Sequence, residues 1–408
     1  MEDNHSKVFE TKGNVIHFFL GILFVPTAAL LILVVISLFC TVTKKEEPFI
    51  LKQFKIRALM NTMYDGEIDD KDVNNGIYYG MVALSTDKYS TYYTEEDYKL
   101  SKVSIAGEYV GVGIRVKKNN EGNFNIVLVY DNSPAKSAGL KKDDVIYEIE
   151  GEPVSDYTIT GATDKIKGTP GTTVNLGIMH TDGKKEKIDV ERKAVEIPTV
   201  SKCIIDENIG YIRLSSFEEN TDEQYKALYE KLKEKNIKSL IIDLRNNPGG
   251  LVDTCCHIAD EIVPEGVITY TEDKNKKKTF YRSEKNETDL PIVVLVNEHS
   301  ASASEMLSGC IKDTKKGTVI GKTTYGKGVV QSTFSFNDGS ALKLTTARYY
   351  TPNGVCIDGV GIAPDIEVDN PTDFELEDIY GEDAQPDIKN DLQLKKAIAL
   401  LKDKGTAD

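Results

Sequence analysis

Two short runs, "SLIIDLRNN" at 239–247 and "PIVVLVNE" at 291–298, are nearly unbroken aliphatic stretches. A strand with one wet face alternates polar and apolar residues, whereas a strand buried on both faces does not. Both runs are therefore expected at the centre of a covered sheet. Upstream, "IGYIRLSSF" reads as a further strand, and "TDEQYKALYEKLKEKN" reads as a helix. In that helix Thr221 and Gln224 fit a capping box, and Tyr225, Leu228 and Leu232 make an apolar stripe. Strands and helices alternate from Ser201 onward, which predicts an α/β core with a largely parallel sheet and helices on it.

The second apolar run leads into "NEHSASASEMLSG", where Ser300, Ser302 and Ser304 stand on alternate positions ahead of a short helix. A strand, a sharp turn and a helix expose the turn at the carboxyl end of a sheet, where such folds place their sites. The helix N-terminus offers unpaired N–H groups to a developing negative charge. A capping serine accounts for the same pattern, and no G-x-S-x-G elbow is present. A nucleophilic serine also needs a base. Of the five histidines, His299 flanks the turn and His257 lies in a helix. A lysine also serves once burial disfavours its ammonium form. In "GKTTYGKGVVQSTF", Lys327 stands between two glycines ahead of a strand. Lys327, Val329 and Gln331 share one face if the strand begins at the lysine.

Residues 108–193 have a different texture. "EYVGVGIRV" and "NFNIVLVYD" are strand-like, "SPAKSAGL" carries a small helix, and "GTTVNLGIMHTDGKKEKIDVERK" is a hairpin turning at Asp182-Gly183. Ser133 and Lys136 match an S-x-x-K spacing but read as a loop entering that small helix. Earlier still, residues 15–41 contain no Asp, Glu, Lys or Arg. About 20 apolar residues span a bilayer, so this stretch is expected to be an uncleaved transmembrane helix. Lysines and an arginine crowd its C-terminal flank, which favours a cytoplasmic C-terminal side, yet large domains translocate largely regardless of charge.

At 408 residues the chain has room for two or three domains, taking roughly 150 residues for each. The net charge of −15 argues against a nucleic-acid partner, which would require a basic face. Six cysteines show no metal-ligand spacing and read as buried free thiols. Neither a metal nor a cofactor is implied.

Four motifs together, "SASASEM", "TTYGKGVVQ", "IIDLRNNPGGL" and "GSALKLTTARYYTPNG", resemble the carboxyl-terminal processing proteases. These are S41 serine peptidases with a Ser–Lys pair and an embedded PDZ domain, and the resemblance runs from about Lys55 to Val368. It implies Ser302 as nucleophile, Lys327 as base and Gln331 as its support. It also implies the backbone N–H groups of Gly250 and Ala303 as oxyanion donors, with Ser300 and Ser304 left as turn and cap residues. Gly111, Val112, Gly113 and Ile114 would form the PDZ loop receiving a peptide carboxylate, with the tail adding as a strand beside Ile114. Many members carry Arg in a motif linked to activation where Lys167 stands here, and Lys lacks the bidentate fork. The implied order is an N-terminal tail (1–14), the transmembrane helix (15–41), a dimer-making helical region (46–103), the PDZ domain (104–196), the peptidase core (197–370) and an acidic linker with a C-terminal helix (371–408). The expected activity is endoproteolysis of extracytoplasmic proteins with exposed C-terminal tails, by a catalytic domain held to the lipid membrane by its one helix. The rivals are a PDZ scaffold without activity and a serine protease with a histidine base.

Overall fold

A computed structural model describes residues 48–105, 108–196, 198–206, 208–284, 288–372, 374, 376 and 386–405. The described residues up to Gly80 and those from Met81 onward form two compact units. The first contains α1 (Phe49–Met63) and most of α2 (Asp70–Ser85). No residue of α1 is buried, and Phe49, Phe54, Leu59 and Met63 are exposed.

The second unit opens with β1 (Thr91–Tyr93) and α3 (Glu95–Ile105), whose first turn carries Glu95, Glu96 and Asp97 where acidic groups suit the helix dipole. Next come β2 (Glu108–Gly111), β3 (Ile114–Lys118), β4 (Phe124–Val129), the short α4 (Pro134–Ser137), β5 (Val145–Ile149) and β6 (Glu152–Pro153). This region continues with α5 (Ile159–Ile166), β7 (Thr173–Met179), β8 (Lys185–Glu191) and β9 (Lys193–Glu196). Strands β3, β4, β5, β7 and β8 form an antiparallel sheet with β6 on β5, and β2 pairs with β9. Phe124, Ile126, Leu140, Ile146 and Leu176 fill its core with Ala162 and Ile166 of α5. Ser133 caps α4, its hydroxyl accepting the Lys136 N–H at 3.1 Å, so the S-x-x-K spacing is a helix cap.

The rest is built from β10 (Val200–Ile205), β11 (Ile209–Leu214), α6 (Thr221–Glu234), β12 (Ser239–Asp243), α7 (Val252–Asp260), β13 (Gly266–Asp273) and β14 (Lys278–Ser283). It ends with β15 (Ile292–Val296), α8 (Ala303–Asp313), β16 (Gly317–Gly321), β17 (Val329–Ser335), β18 (Ala341–Tyr350), β19 (Ile366–Glu367) and α9 (Leu392–Gly405). The central sheet runs β10-β11-β12-β15-β16-β19 and is parallel except for β10 against β11. Alternate residues of the two aliphatic runs serve opposite faces. Ile242 and Val294 pack with Leu228, Ile258 and Leu307 of α6, α7 and α8, whereas Ile241 and Val293 pack with Leu394, Ala397 and Ile398 of α9.

Two expectations need correction. The fold is not an α/β core resting on one largely parallel sheet. A second, wholly antiparallel sheet, β1-β18-β13-β14 with β17 on β18, stands beside the central one. Its segments are half-exposed along their length. The turn before Gly339 joins β17 to β18 as a hairpin, the connection that antiparallel strands permit. The expected transmembrane helix is not supported either. The longest described helix has 16 residues, which rise about 24 Å against the roughly 30 Å of a bilayer core. No helix among the described residues is long and apolar enough to cross a membrane, and 15–41 lies outside them.

Candidate active site

Ser302 is the N-cap of α8, with φ 56° and ψ −114°. A non-glycine residue in the positive-φ region costs on the order of 1–3 kcal/mol and persists only when its surroundings dictate it. Here they do. Ser300 Oγ donates to Leu244 O at 2.8 Å and accepts the Asn297 N–H at 3.0 Å, which fixes the turn. Ser304 Oγ donates to Asn247 O at 3.0 Å. The fully buried Glu305 accepts the Ser302 N–H on Oε2 at 2.7 Å.

Glu305 also gathers the segment that carries the lysine. Its Oε1 accepts Thr324 Oγ1 at 2.6 Å and the Gly326 N–H at 2.7 Å, and its Oε2 accepts the Lys327 N–H at 2.8 Å. Ser302 and Lys327 are thereby bound through their backbones to one carboxylate. Lys327 is partly buried, and burial is the largest influence lowering its pKa below the usual lysine value. Lys343 lowers it further, against the opposing pull of Glu305, Tyr325 and Asp87. The Ser302 hydroxyl and Lys327 amine are not hydrogen-bonded to each other. The serine side chain instead lies against the Tyr349 hydroxyl, which donates to Lys327 O.

The loop "NNPGG" after β12 closes over the turn. Asn247 is fully buried, donating from Nδ2 to Leu214 O at 2.9 Å and accepting the Gly249 N–H at 2.8 Å and the Ala301 N–H at 3.0 Å. Gly250 has φ 147°, and a Cβ there would stand 2.1 Å from Phe217 O, so only glycine fits. Neither the Gly250 N–H nor the Ala303 N–H donates to another described residue. Ahead of the loop, Arg245 is 2% exposed and pairs with Asp243 and, at 2.7 Å, with Asp391 beside α9. Burial alone would raise the Asp243 pKa, but Arg245 holds it below the ordinary carboxylate value.

The remaining candidates fall differently. Gln331 donates to Val329 O and to Thr345 Oγ1 at 3.2 Å and not to Lys327. The strand starts at Val329, and a bulge lies between Val330 and Gln331, which breaks the two-residue alternation expected to align glutamine with lysine. His257 pairs with Asp222 at 2.6 Å in a separate cavity of about 400 Å³. His299 is exposed, and neither imidazole bonds Ser302. Cys203, Cys255, Cys256 and Cys310 are buried free thiols, and burial pushes Cys256 and Cys310 up to about 12.

In the PDZ-like region, a cavity of about 330 Å³ runs between β3 and α5, lined by Val112, Ile114, Ile159 and Ile166 with Arg115 and Lys167 among its polar neighbours. Gly111 pairs with Lys193, and Gly113 has φ 84° where a Cβ would collide with Ser133. Lys167 follows the last turn of α5, its amine 6.0 Å from the Tyr109 ring centre.

Residues 208–368 match the profile of peptidase family S41, and residues 110–191 match that of the PDZ domain. A "Carboxy-terminal-processing protease" of Bartonella bacilliformis is 35% identical over 76% of this chain and 73% of its own length. The chain belongs to peptidase family S41. A "Probable CtpA-like serine protease" of Staphylococcus epidermidis is 32% identical over 87% of this chain and 74% of that protein. A solved Bacteroides fragilis chain assigned to the S41 proteases is 16% identical, covers 86% of this chain and 97% of its own, and superposes with a TM-score of 0.52, a likeness of fold. This S41 member is a serine peptidase of the carboxy-terminal-processing type with a PDZ domain.

Sequence reasoning passed over Glu305, Tyr349, Asn247 and Arg245. For Glu305 the signal was available, since Ser302-x-x-Glu305 has capping-box spacing. The other three owe their place in the site to contacts distant in sequence, Tyr349 with Lys327, Asn247 with Leu214 and Ala301, and Arg245 with Asp391.

Proposed function

We propose that the S41 core hydrolyses peptide bonds with Ser302 as nucleophile and Lys327 as general base, acting on proteins whose exposed C-terminal tails the PDZ domain captures. The observation that carries this reading is the joint hold of Glu305 on the Ser302 and Lys327 backbones, beside a lysine whose pKa burial lowers. A neutral amine at working pH is what a lysine base requires. On substrate entry the flexible Lys327 stem brings Nζ to Ser302 Oγ and takes its proton as Oγ attacks the scissile carbonyl. The Gly250 and Ala303 N–H groups, left without described acceptors, receive the oxyanion. The lysine then returns the proton to the leaving amine, and water, deprotonated by the same group, releases the acyl-enzyme. Gln331 supports this base only after a shift of its amide. At the PDZ end, the loop Gly111–Ile114 takes the terminal carboxylate and the tail lies along β3. The apolar lining favours an aliphatic last residue. The setting proposed is extracytoplasmic, on the resemblance alone.

The test is the hydrolysis of one tailed substrate by Ser302→Ala, Lys327→Ala, Lys327→Arg and His299→Ala proteins. The first three are expected to be inactive and the fourth active, because arginine cannot deprotonate. An active Lys327→Arg with a dead His299→Ala rejects the dyad and favours the histidine base.

A further inference from the structure

Tyr89 lies on the loop between α2 and β1, outside every motif considered so far. Its ring centre is 5.0 Å from Lys327 Nζ. The loop holding the ring is fixed at both ends. Asp87 Oδ1 accepts the Tyr89 N–H at 3.0 Å and the Ser90 N–H at 2.9 Å. Ser90 Oγ accepts the Thr345 N–H of β18 at 3.0 Å, filling the stretch of that strand's edge between its partners β1 and β13. At the rim, the Tyr89 hydroxyl meets Lys88 and Tyr325, and Lys88 Nζ donates to the Tyr325 hydroxyl at 2.9 Å.

We propose that Tyr89 is a positioning residue for the base: its ring covers the Lys327 amine and keeps water from it. The inference rests on the reading of Lys327 as base. Two effects of the ring oppose each other. Attraction between an ammonium and an aromatic face favours the charged lysine, by less than about tenfold at an exposed site and roughly thirtyfold once water is excluded. Exclusion of water favours the neutral amine and shifts buried lysines by up to several pH units. Exclusion therefore dominates. The charged and titratable groups that face the amine are Lys343 from β18, Glu305 from α8, Tyr325 from the loop before Lys327, and Asp87 from the Tyr89 loop. Of the two tyrosines here, Tyr89 is the one whose ring lies over the amine.

The experiment uses the full chain and a fluorophosphonate probe, which forms an O–P bond at Ser302 and expels fluoride while the base takes the hydroxyl proton. The labelling rate is read from pH 6 to 10, so no tail recognition enters. In Tyr89→Ala, water reaches the amine and the rise in rate is expected about one pH unit higher, roughly a tenfold loss at pH 7 recovered at high pH. Tyr89→Phe, which restores the ring, should bring the rise back. Tyr89→Leu should move it in the same direction by less, and carries the test if thermal unfolding shows that the alanine variant does not fold. An unmoved rise in the folded variants, or an equal loss at every pH, overturns the proposal. Lys327→Ala in the same assay separates the two ideas. If it is labelled normally, the base reading falls; if it is dead while the Tyr89 variants do not shift, only the role of Tyr89 falls.

Discussion

Glu305 Oε2 accepts the backbone N–H of Ser302 at 2.7 Å and that of Lys327 at 2.8 Å. A single buried carboxylate oxygen thus sets the separation of two residues that lie on different elements. Removing its charge should cost stability and activity together. Glu305→Gln turns an N–H donor toward N–H donors, and an unsatisfied buried group costs roughly 1–3 kcal/mol. Thermal unfolding should register that loss and kcat should fall more than tenfold. A variant with unchanged kcat would show that the carboxylate does not position the pair.

Lys343 gives a pH prediction with a definite sign. Its positive charge disfavours the Lys327 ammonium and so helps to lower the Lys327 pKa. In Lys343→Gln that repulsion is gone, the Lys327 pKa rises, and deprotonation requires higher pH. The acid limb of kcat/KM should move upward by a few tenths to about one pH unit. A downward shift would contradict the assignment of Lys327 as the titrating base.

At Gly250 the expected defect is in turnover. A methyl group would stand 2.1 Å from Phe217 O, so Gly250→Ala must displace the loop and its N–H. Loss of one oxyanion donor lowers kcat by about 10²–10³. Steady-state kinetics should show that fall with KM changed far less.

The PDZ groove should read the free carboxylate of a tail. Gly113→Ala would force a Cβ into Ser133 at a φ of 84°, distorting the loop. A tail peptide should bind the full chain with Ser302→Ala, lose affinity when amidated, and lose it again in Gly113→Ala. Equal affinity for acid and amide would exclude carboxylate capture.

The sequence made the central sheet legible because burial on both faces leaves unmistakable aliphatic runs, and Ile241, Ile242, Val293 and Val294 are all fully or almost fully buried. The serine turn and the glycine-flanked lysine are weak marks by themselves, and Ser302 and Lys327 stand out as candidates only through the four motifs taken together. The antiparallel sheet was harder to read, since its strands come from three separate stretches whose partners are far apart in sequence. That Gln331 bonds Thr345 and not Lys327 has a smaller reason, a one-residue bulge that no local pattern announces. The contacts of Tyr349 with Lys327 and of Arg245 with Asp391 exist only in the folded chain, so pattern alone cannot reveal them.

The ion pairs of Arg245 bear on the order of synthesis. Its partner Asp391 and its contact Gln393 follow every catalytic candidate along the chain. A nascent polypeptide that has already made Ser302, Lys327 and the "NNPGG" loop still has Arg245 without Asp391 and Gln393. The ion pair that ties the stretch before this loop to the last helix therefore forms only once α9 has been made and has docked.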